Sequence, residues 1–213
     1  MVYLLDFGET REYNTKRLQY SLAMRFLKKI QNIEDKKILD MGCGMGEFIN
    51  ILHKKGIECV VGVEGSQNSC DYVSKKGFVC RRVNLEEGTL PFKDEEFDVI
   101  ISLEVIEHLW NTKKYLGEIS RVMKKDGYVL FTTPNYNHYR YRIDHLFGKF
   151  ERFMYKSRHK KFYTSHSLKK ELANYFRIVA IEGLCTIPVL RQNFFGKKFL
   201  NLFAIHIGML CRK

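Results

Sequence analysis

The segment Lys37–Gly46, KILDMGCGMG, constrains the fold more than any other part of the chain. A short apolar run ends at the acid Asp40, and glycines follow at the alternate positions 42, 44 and 46. Glycine is needed where the backbone takes a positive φ or approaches a ligand closely. An amphipathic stretch then runs from Glu47 to Lys55. The pattern predicts a strand, a tight turn and the N-terminus of a helix.

The spacing of the glycines distinguishes two kinds of nucleotide site. Dinucleotide-binding folds use G-x-G-x-x-G and rest a pyrophosphate on the helix N-terminus. Here the third glycine comes one residue early, and Glu47 takes the place of the last one. A carboxylate there would repel a pyrophosphate, which disfavours a nicotinamide oxidoreductase. It would not repel a ligand that carries cationic groups and no phosphate.

The acid-x-G-x-G-x-G pattern resembles the first motif of the class I methyltransferases that use S-adenosylmethionine (SAM). The resemblance implies an α/β fold, with a Rossmann-like, seven-stranded, mostly parallel sheet. It also implies an antiparallel last strand, helices on both faces and a helical lid. Asp40 would meet the SAM ammonium. The residues that this motif would bring to SAM are Asp40, Gly42, Cys43, Gly44 and Gly46.

The resemblance places further cofactor contacts at the ends of later strands. Glu64 lies 18 residues past Gly46, and an acid at that position can accept both ribose hydroxyls. Asn84 stands where the family usually has an acid, but its amide oxygen can accept the same hydrogen bond from adenine. The cofactor residues expected in this part of the chain are Glu64, Gly65, Asn84, Leu85, Ser102 and Leu103.

Glu104, Glu107 and His108 follow the fourth strand in the pattern E-x-x-E-H. On a helical turn, positions i, i+3 and i+4 share one face, and two carboxylates with an imidazole can bind a divalent metal. The pattern resembles the ubiquinone-pathway O-methyltransferases and the enzymes that modify the terminal 2′-hydroxyl of small RNAs. Both groups use a metal and a later histidine, for which His159 is the candidate.

The same residues also have a metal-free interpretation. His108 would border the substrate and act as general base on a hydroxyl, while Glu107 orients it or caps the turn. A purely structural role is the remaining alternative. The expected cofactors are therefore SAM and, under the metal interpretation alone, Mg²⁺ or Mn²⁺.

Charge is distributed unevenly along the chain. Residues 1–110 hold 15 Lys and Arg against 18 Asp and Glu, a net charge of −3, whereas residues 111–213 hold 21 against 6, a net charge of +15. This asymmetry suggests an anionic partner, such as a phosphorylated small molecule, nucleic acid or a membrane surface. The alternative is a lysine-rich, solvated surface.

The residues 136–163 are the most unusual stretch, with eight Lys and Arg, nine aromatics and three histidines in 28 residues. We expect them to form a substrate lid. The chain is predicted to be one domain, with an N-terminal helical cover over 1–34, a SAM-binding core over 35–135, a basic aromatic lid over 136–175 and a C-terminal strand hairpin over 176–213. Helices are predicted over residues 10–31 and, with a serine cap, over Ser165–Tyr175.

The six cysteines contain no C-x-x-C pair. With no signal-peptide pattern at the N-terminus and no apolar run long enough for a bilayer, we expect a cytoplasmic protein with reduced cysteines, as a monomer or homodimer.

The sequence favours methyl transfer from SAM to a hydroxyl of a small, anionic molecule or a glycan precursor, because the acceptor loop [DN]-P-P-[YF] of DNA and amine N-methylases is absent. An RNA 2′-O-methyltransferase is the first alternative, although no RNA-binding module is recognisable. A SAM-binding protein without turnover is the second. Peripheral membrane contact is a further expectation for the basic lid.

Overall fold

The computed structural model describes residues 8–148, 159–185 and 200–213. Its centre is a seven-stranded sheet in the order β3-β2-β1-β4-β5-β7-β6. Strands β1 to β5 run parallel, and β7 lies antiparallel to both β5 and β6, which confirms the predicted fold class. The strands are β1 Ile38–Met41, β2 Val60–Glu64, β3 Val79–Arg82, β4 Phe97–Leu103, β5 Met123–Pro134, β6 Arg177–Cys185 and β7 Ala204–Arg212.

Helices connect the strands in alternation. They are α1 Gly8–Leu27, α2 Glu47–His53, α3 Gln67–Lys75, α4 Thr112–Val122, α5 Tyr139–Leu146, α6 Ser165–Leu172 and α7 Leu200–Phe203, with 3-10 turns at Ile33–Asp35 and Ile106–His108. None of the described helices is long and apolar enough to cross a membrane.

Buried apolar side chains form two clusters on opposite faces of the sheet. Ile38 belongs to one cluster and Leu39 to the other. In the same way, Ile100 belongs to the cluster of Leu39, whereas Val99 and Ile101 belong to the cluster of Ile38. Successive side chains of a strand point to opposite faces, and parallel strands covered on both faces read as continuous apolar runs.

One local expectation was wrong. The cap of α6 is Thr164, not Ser165, because the Thr164 hydroxyl accepts from the Ser167 N–H while the Ser167 hydroxyl accepts from the Thr164 N–H. The structure also places Cys70 and Cys80 as a disulfide pair, with their Cα atoms 5.3 Å apart, and the reduced state expected of the cysteines stays a prediction. Their separation of ten residues gave no sign of this, because it is the α3–β3 connection that brings them together.

Helix α1 packs closely on β7 at Gly208. A Cβ added there would lie 2.8 Å from a ring carbon of Phe26 and 3.0 Å from a methyl of Leu22, and both side chains are fully buried. The N-terminal cover predicted from the sequence is therefore held at this point by the absence of a side chain on the strand.

We predict that Gly208→Ala lowers the free energy of unfolding by about 1–3 kcal/mol, because neither buried neighbour has room to retreat. Gly117→Ala is the matched control. Gly117 lies within α4, and a Cβ there would meet nothing within 4 Å, so this variant should be more stable by about 1 kcal/mol. Denaturant unfolding measures both changes. Equal shifts for the two variants would contradict the close packing of α1 on β7.

Candidate active site

The glycine loop between β1 and α2 has the backbone conformation that its sequence predicts. Gly42, Gly44 and Gly46 have φ values of 71°, 54° and 71°, in the left-handed region. A Cβ on Gly42 would come within 2.7 Å of Val105, whereas a Cβ on Gly44 would meet nothing within 4 Å. Gly44 therefore faces the open space from which a ligand would approach.

Asp40 lies beside this loop with its side chain only 3% exposed. Its Oδ2 has no hydrogen-bond partner among the described residues. Burial, and secondarily the negative charge of Glu64, raises the pKa of Asp40 to about 7. A buried carboxylate without a counter-charge is costly, so the site fits a ligand that brings a cationic group, such as the ammonium of SAM.

Main-chain N–H groups fix the Glu64 carboxylate at the end of β2. Its Oε2 accepts from the Gly44 N–H at 3.0 Å, and its Oε1 accepts from Gly65 and Ser66 at 2.8 Å and 3.2 Å. The Cys43 N–H donates to the carbonyl of Val63, the residue before Glu64 in β2. The glycine loop and the β2 end are thus one hydrogen-bonded unit, and ribose binding by Glu64 stays a prediction.

The remaining predicted cofactor residues differ in whether their side chains already have hydrogen-bond partners within the protein. The Asn84 Oδ1 accepts from the Glu86 N–H at 3.0 Å, and Leu85 next to it is half-buried. The Ser102 hydroxyl is fully buried and accepts from Tyr115 at 2.9 Å, while Leu103 is half-buried at the end of β4. Asn84 and Ser102 therefore have protein partners, and their cofactor contacts stay predictions.

Helix α1 reaches the same end of the sheet through Tyr20. The Tyr20 hydroxyl donates to Glu47 Oε2 at 2.8 Å, and its ring stacks on Phe48 with centroids 5.2 Å apart. Burial, then the Glu47 carboxylate, raises the pKa of Tyr20, and the charge of Asp40 adds to the effect. Tyr20 thus lies against the first turn of α2, next to the glycine loop.

Glu104 does not share a helical turn with Glu107 and His108, so that part of the prediction was wrong. The 3-10 turn spans only Ile106–His108, and Glu104 precedes it with φ of 56°. The Glu104 Oε2 lies 3.0 Å from Nδ1 of His206 on β7. The left-handed backbone turns the Glu104 carboxylate towards β7, and Glu104 stays close to Glu107 without joining the set of ligand atoms that lie within 4.8 Å of one another.

Glu107, His108 and His159 come together, with one ligand atom from each within 4.8 Å of the others. Glu107 is 1% exposed, and its carboxylate lies beside the Thr133 hydroxyl and the Glu104 carboxylate. Burial, then the charge of Glu104, raises the pKa of Glu107 well above its ordinary value. Burial, then the charge of His108, lowers the pKa of His159. A carboxylate and two imidazoles in this arrangement fit a divalent cation.

His159 is brought to this group by main-chain hydrogen bonds. The N–H groups of Lys160 and Lys161 both donate to the carbonyl of Glu107, at 2.8 Å and 3.0 Å. The Lys161 ammonium also donates to the Thr112 hydroxyl at 2.6 Å. The segment His159–Lys161 is therefore attached directly to the turn that carries the candidate catalytic residues.

Buried polar atoms without partners concentrate at this end of the sheet. Within residues 18–148, 159–184 and 202–213, where side chains are described, eight such atoms occur, and only the Arg212 Nε lies at the opposite end of the strands. Native proteins pair nearly all buried polar groups, so the concentration indicates a chamber for a polar ligand. The other seven atoms belong to Asp40, Glu104, Glu107, Thr132, Thr133 and His138.

Four of the buried polar residues at this end of the sheet were missed from the sequence. His138 is 2% exposed, and burial lowers its pKa to about 4, so it is neutral. Its Nδ1 accepts from the Arg140 N–H, so its unpartnered Nε2 carries the proton as a donor. Thr132, Thr133 and His206 are the other three. A sequence signal existed for His206, the one histidine or charged residue within residues 202–211.

Comparison with known proteins agrees with this geometry. A family model described as a methyltransferase domain matches residues 10–180, which is most of the chain. The chain belongs to the class I SAM-dependent methyltransferases. A ubiquinone biosynthesis O-methyltransferase from Hydrogenovibrio crunogenus is 28% identical over 146 residues, which make up 65% of this chain and 56% of that protein. This methyltransferase spans about half the length of the curated relatives it matches.

Solved structures show the same fold. A SAM-dependent methyltransferase from Archaeoglobus fulgidus has a TM-score of 0.67 at 22% identity, covering 91% of this chain and 94% of its own. A geranyl diphosphate C-methyltransferase from Streptomyces coelicolor A3(2), solved with Mg²⁺, geranyl diphosphate and S-adenosylhomocysteine, has a TM-score of 0.66 at 16% identity, covering 94% and 81%. At these identities the likeness concerns the fold alone.

We predict that the affinity of the methyltransferase for S-adenosylhomocysteine rises with pH. Asp40 becomes ionised as the pH passes about 7, and only its ionised form attracts the ligand's ammonium. Affinity at pH 6 should be about tenfold lower than at pH 8, because the ionised fraction changes by that factor. Asp40→Asn should bind weakly and without this slope. Titration calorimetry at both pH values measures the effect.

Glu58→Gln is the control for the pH series, because Glu58 is an exposed acid away from the loop and its removal should leave the slope unchanged. A wild-type affinity that is constant from pH 6 to pH 8 would contradict the assignment of Asp40 as the ammonium partner.

Proposed function

We propose that this methyltransferase transfers the SAM methyl group to a hydroxyl of a small molecule, with a divalent cation held by Glu107, His108 and His159. The observation that carries the proposal is the convergence of these three side chains, one of which is a buried carboxylate. The methyl carbon leaves the sulfonium and bonds to the acceptor oxygen, and the hydroxyl proton is released.

The ligand set favours Mn²⁺ over Mg²⁺. Mg²⁺ prefers oxygen ligands and near-octahedral geometry with several waters, whereas two imidazoles with one carboxylate suit a softer divalent ion. Such a cation, when bound, polarises an acceptor hydroxyl and lowers its pKa. The acceptor oxygen would then be an adequate nucleophile at neutral pH without a strong protein base.

The protein's own groups hold the acceptor and Glu107 in position for the reaction. Glu107 is held by the main-chain bonds from Lys160 and Lys161 to its carbonyl. The buried His138 Nε2–H is available as a hydrogen-bond donor to a further oxygen of the acceptor. Proximity and in-line orientation to the SAM sulfonium account for most of the acceleration expected in methyl transfer.

The described residues 136–148 and 159–163 offer little free positive charge. Of their four Lys and Arg, three have intramolecular partners: Arg142 binds Asn137, Lys160 binds Glu86, and Lys161 binds Thr112 and Glu171. The net charge of residues 111–213 therefore does not by itself favour an anionic acceptor, and the RNA alternative gains no support from residues 136–148 or 159–163. We favour a neutral or weakly acidic diol, with a catechol as the simplest probe.

We predict that the purified protein methylates catechol (1,2-dihydroxybenzene) from radiolabelled SAM with Mn²⁺ present, and that EDTA abolishes the transfer. Glu107→Gln should lose at least about 100-fold in kcat/KM, because it removes the carboxylate ligand. Glu182→Gln is the matched control, since Glu182 is a carboxylate on β6 that pairs with Arg25 and Lys29. It should retain full activity.

Other outcomes select the alternatives. Transfer that survives EDTA and is lost in His108→Ala would favour the metal-free interpretation with His108 as general base. Transfer only to an RNA oligonucleotide would favour the 2′-O-methyltransferase. Binding of S-adenosylhomocysteine without transfer to diol, RNA or extract fractions would favour a SAM-binding protein without turnover.

A further inference from the structure

Three cysteine side chains cluster beside the SAM-binding loop. Cys70 on α3 and Cys80 on β3 are bonded, with a Cα separation of 5.3 Å. The Cys43 Sγ, from within the glycine loop, lies 3.7 Å from the Cys80 Sγ. Gly62 makes room for this arrangement, because a Cβ there would lie 2.6 Å from the Cys43 Sγ. The sulfurs therefore belong to one cluster on one face of the sheet.

Both ends of the Cys70–Cys80 bond connect to the predicted cofactor residues. The Cys70 N–H donates to the carbonyl of Ser66 at 3.1 Å, and the Ser66 N–H donates to the Glu64 carboxylate. On the other side, β3 pairs with β2 so that Arg82 lies opposite Glu64. The bond thus fastens the turn that carries the predicted ribose carboxylate to the neighbouring strand.

The two bonded sulfurs differ in access. β3 is an edge strand of the sheet, and Cys80 is half-buried between exposed neighbours, whereas Cys70 is 3% exposed. An external disulfide would therefore meet Cys80 first. Arg82, exposed and on the same face of the strand as Cys80, would attract a disulfide that carries carboxylates.

Cys80 lies closer to Cys70 than to Cys43. The Cys80 Sγ is 3.7 Å from the Cys43 Sγ, whereas Cys70 and Cys80 are placed as a disulfide pair. The geometry therefore favours the pairing of Cys80 with Cys70 over pairing with Cys43.

We propose that Cys70 and Cys80 form a reversible thiol–disulfide site for anionic low-molecular-weight disulfides, and that its oxidised state strengthens SAM binding. The Cys80 thiolate attacks one sulfur of a disulfide such as oxidised glutathione and expels one glutathione thiolate. The Cys70 thiolate then attacks the Cys80 sulfur of the mixed disulfide and expels the second. Two protein thiols are oxidised, one glutathione disulfide is reduced, and the two protons pass to the released thiolates.

The effect on SAM follows from pre-organisation. With the bond formed, the Glu64–Ser66 turn is held against β3 before the ligand arrives. With the bond broken, a smaller fraction of molecules has this turn in place, and the apparent affinity falls by that fraction. The inference depends on SAM binding alone and not on the identity of the methyl acceptor.

The test compares the same wild-type protein in two redox buffers. One sample is equilibrated with oxidised glutathione and the other with dithiothreitol, and non-reducing peptide mass spectrometry then identifies the linked peptides. Calorimetric titration with S-adenosylhomocysteine follows. We expect a Cys70–Cys80 link in the first sample only, and about five- to tenfold tighter binding there. The double variant Cys70→Ser, Cys80→Ser should bind like the reduced protein in both buffers.

Cys59→Ser is the matched control, because Cys59 is an exposed free cysteine outside the cluster, and this variant should keep the redox effect. Three results would overturn the proposal: no Cys70–Cys80 link in oxidised glutathione, a link from Cys80 to Cys43 or to glutathione instead, or equal affinities in the two buffers. A double variant that still responds to oxidation would also overturn it. Since the readout is ligand affinity, failure here is distinguishable from failure to find an acceptor.

Discussion

Burial of carboxylates close to one another, at the carboxyl ends of two adjacent strands, is the constraint on which the rest of the structure depends. Asp40 on β1 is buried near Glu64, and Glu107 after β4 is buried near Glu104. A raised carboxyl pKa opposes folding above the group's ordinary pKa, and for Asp40 this cost grows until about pH 7. The buried acids lower the free energy of unfolding, and the rest of the core must offset this loss. Cationic ligands that bind the folded state raise the free energy of unfolding again.

Strand order determines that the two acidic positions form one site. β1 and β4 are neighbours, with Met41 opposite Ser102, so the residues that follow both strands emerge at the same edge of the sheet. Ligands of open α/β sheets bind in the crevice at the carboxyl ends of the strands. The glycine loop can approach a ligand there only because it has no side chain at position 44. Because buried apolar residues cover both faces of the sheet, the crevice lies at the ends of the strands and not on a face.

The sequence contained the parts of the site that depend on local spacing. The glycine loop, Glu64 and the pairing of Glu107 with His108 all lie within a few residues of a strand end, and the structure places each at that end. His206 was not predictable in this way. It reaches Glu104 from a position about one hundred residues later, through an antiparallel strand whose register with β5 sets Pro134 opposite His206. The backbone of Glu104 was missed because a left-handed φ is uncommon outside glycine.

His159 is held in position by main-chain hydrogen bonds, whereas the contacts around it are made by side chains. Its position relative to Glu107 depends on two N–H groups of the following residues, which any amino acid except proline provides. The side chains of Lys160 and Lys161 serve a second purpose, since they reach Glu86 and Glu171 and so tie the loop after β3 and helix α6 to the same segment. A chain that lost both lysine side chains would keep the histidine in place and lose the ties to its surroundings. The placement of His159 is therefore a property of the backbone path through residues 159–161, and the sequence could indicate the residue but not the bonds that hold it.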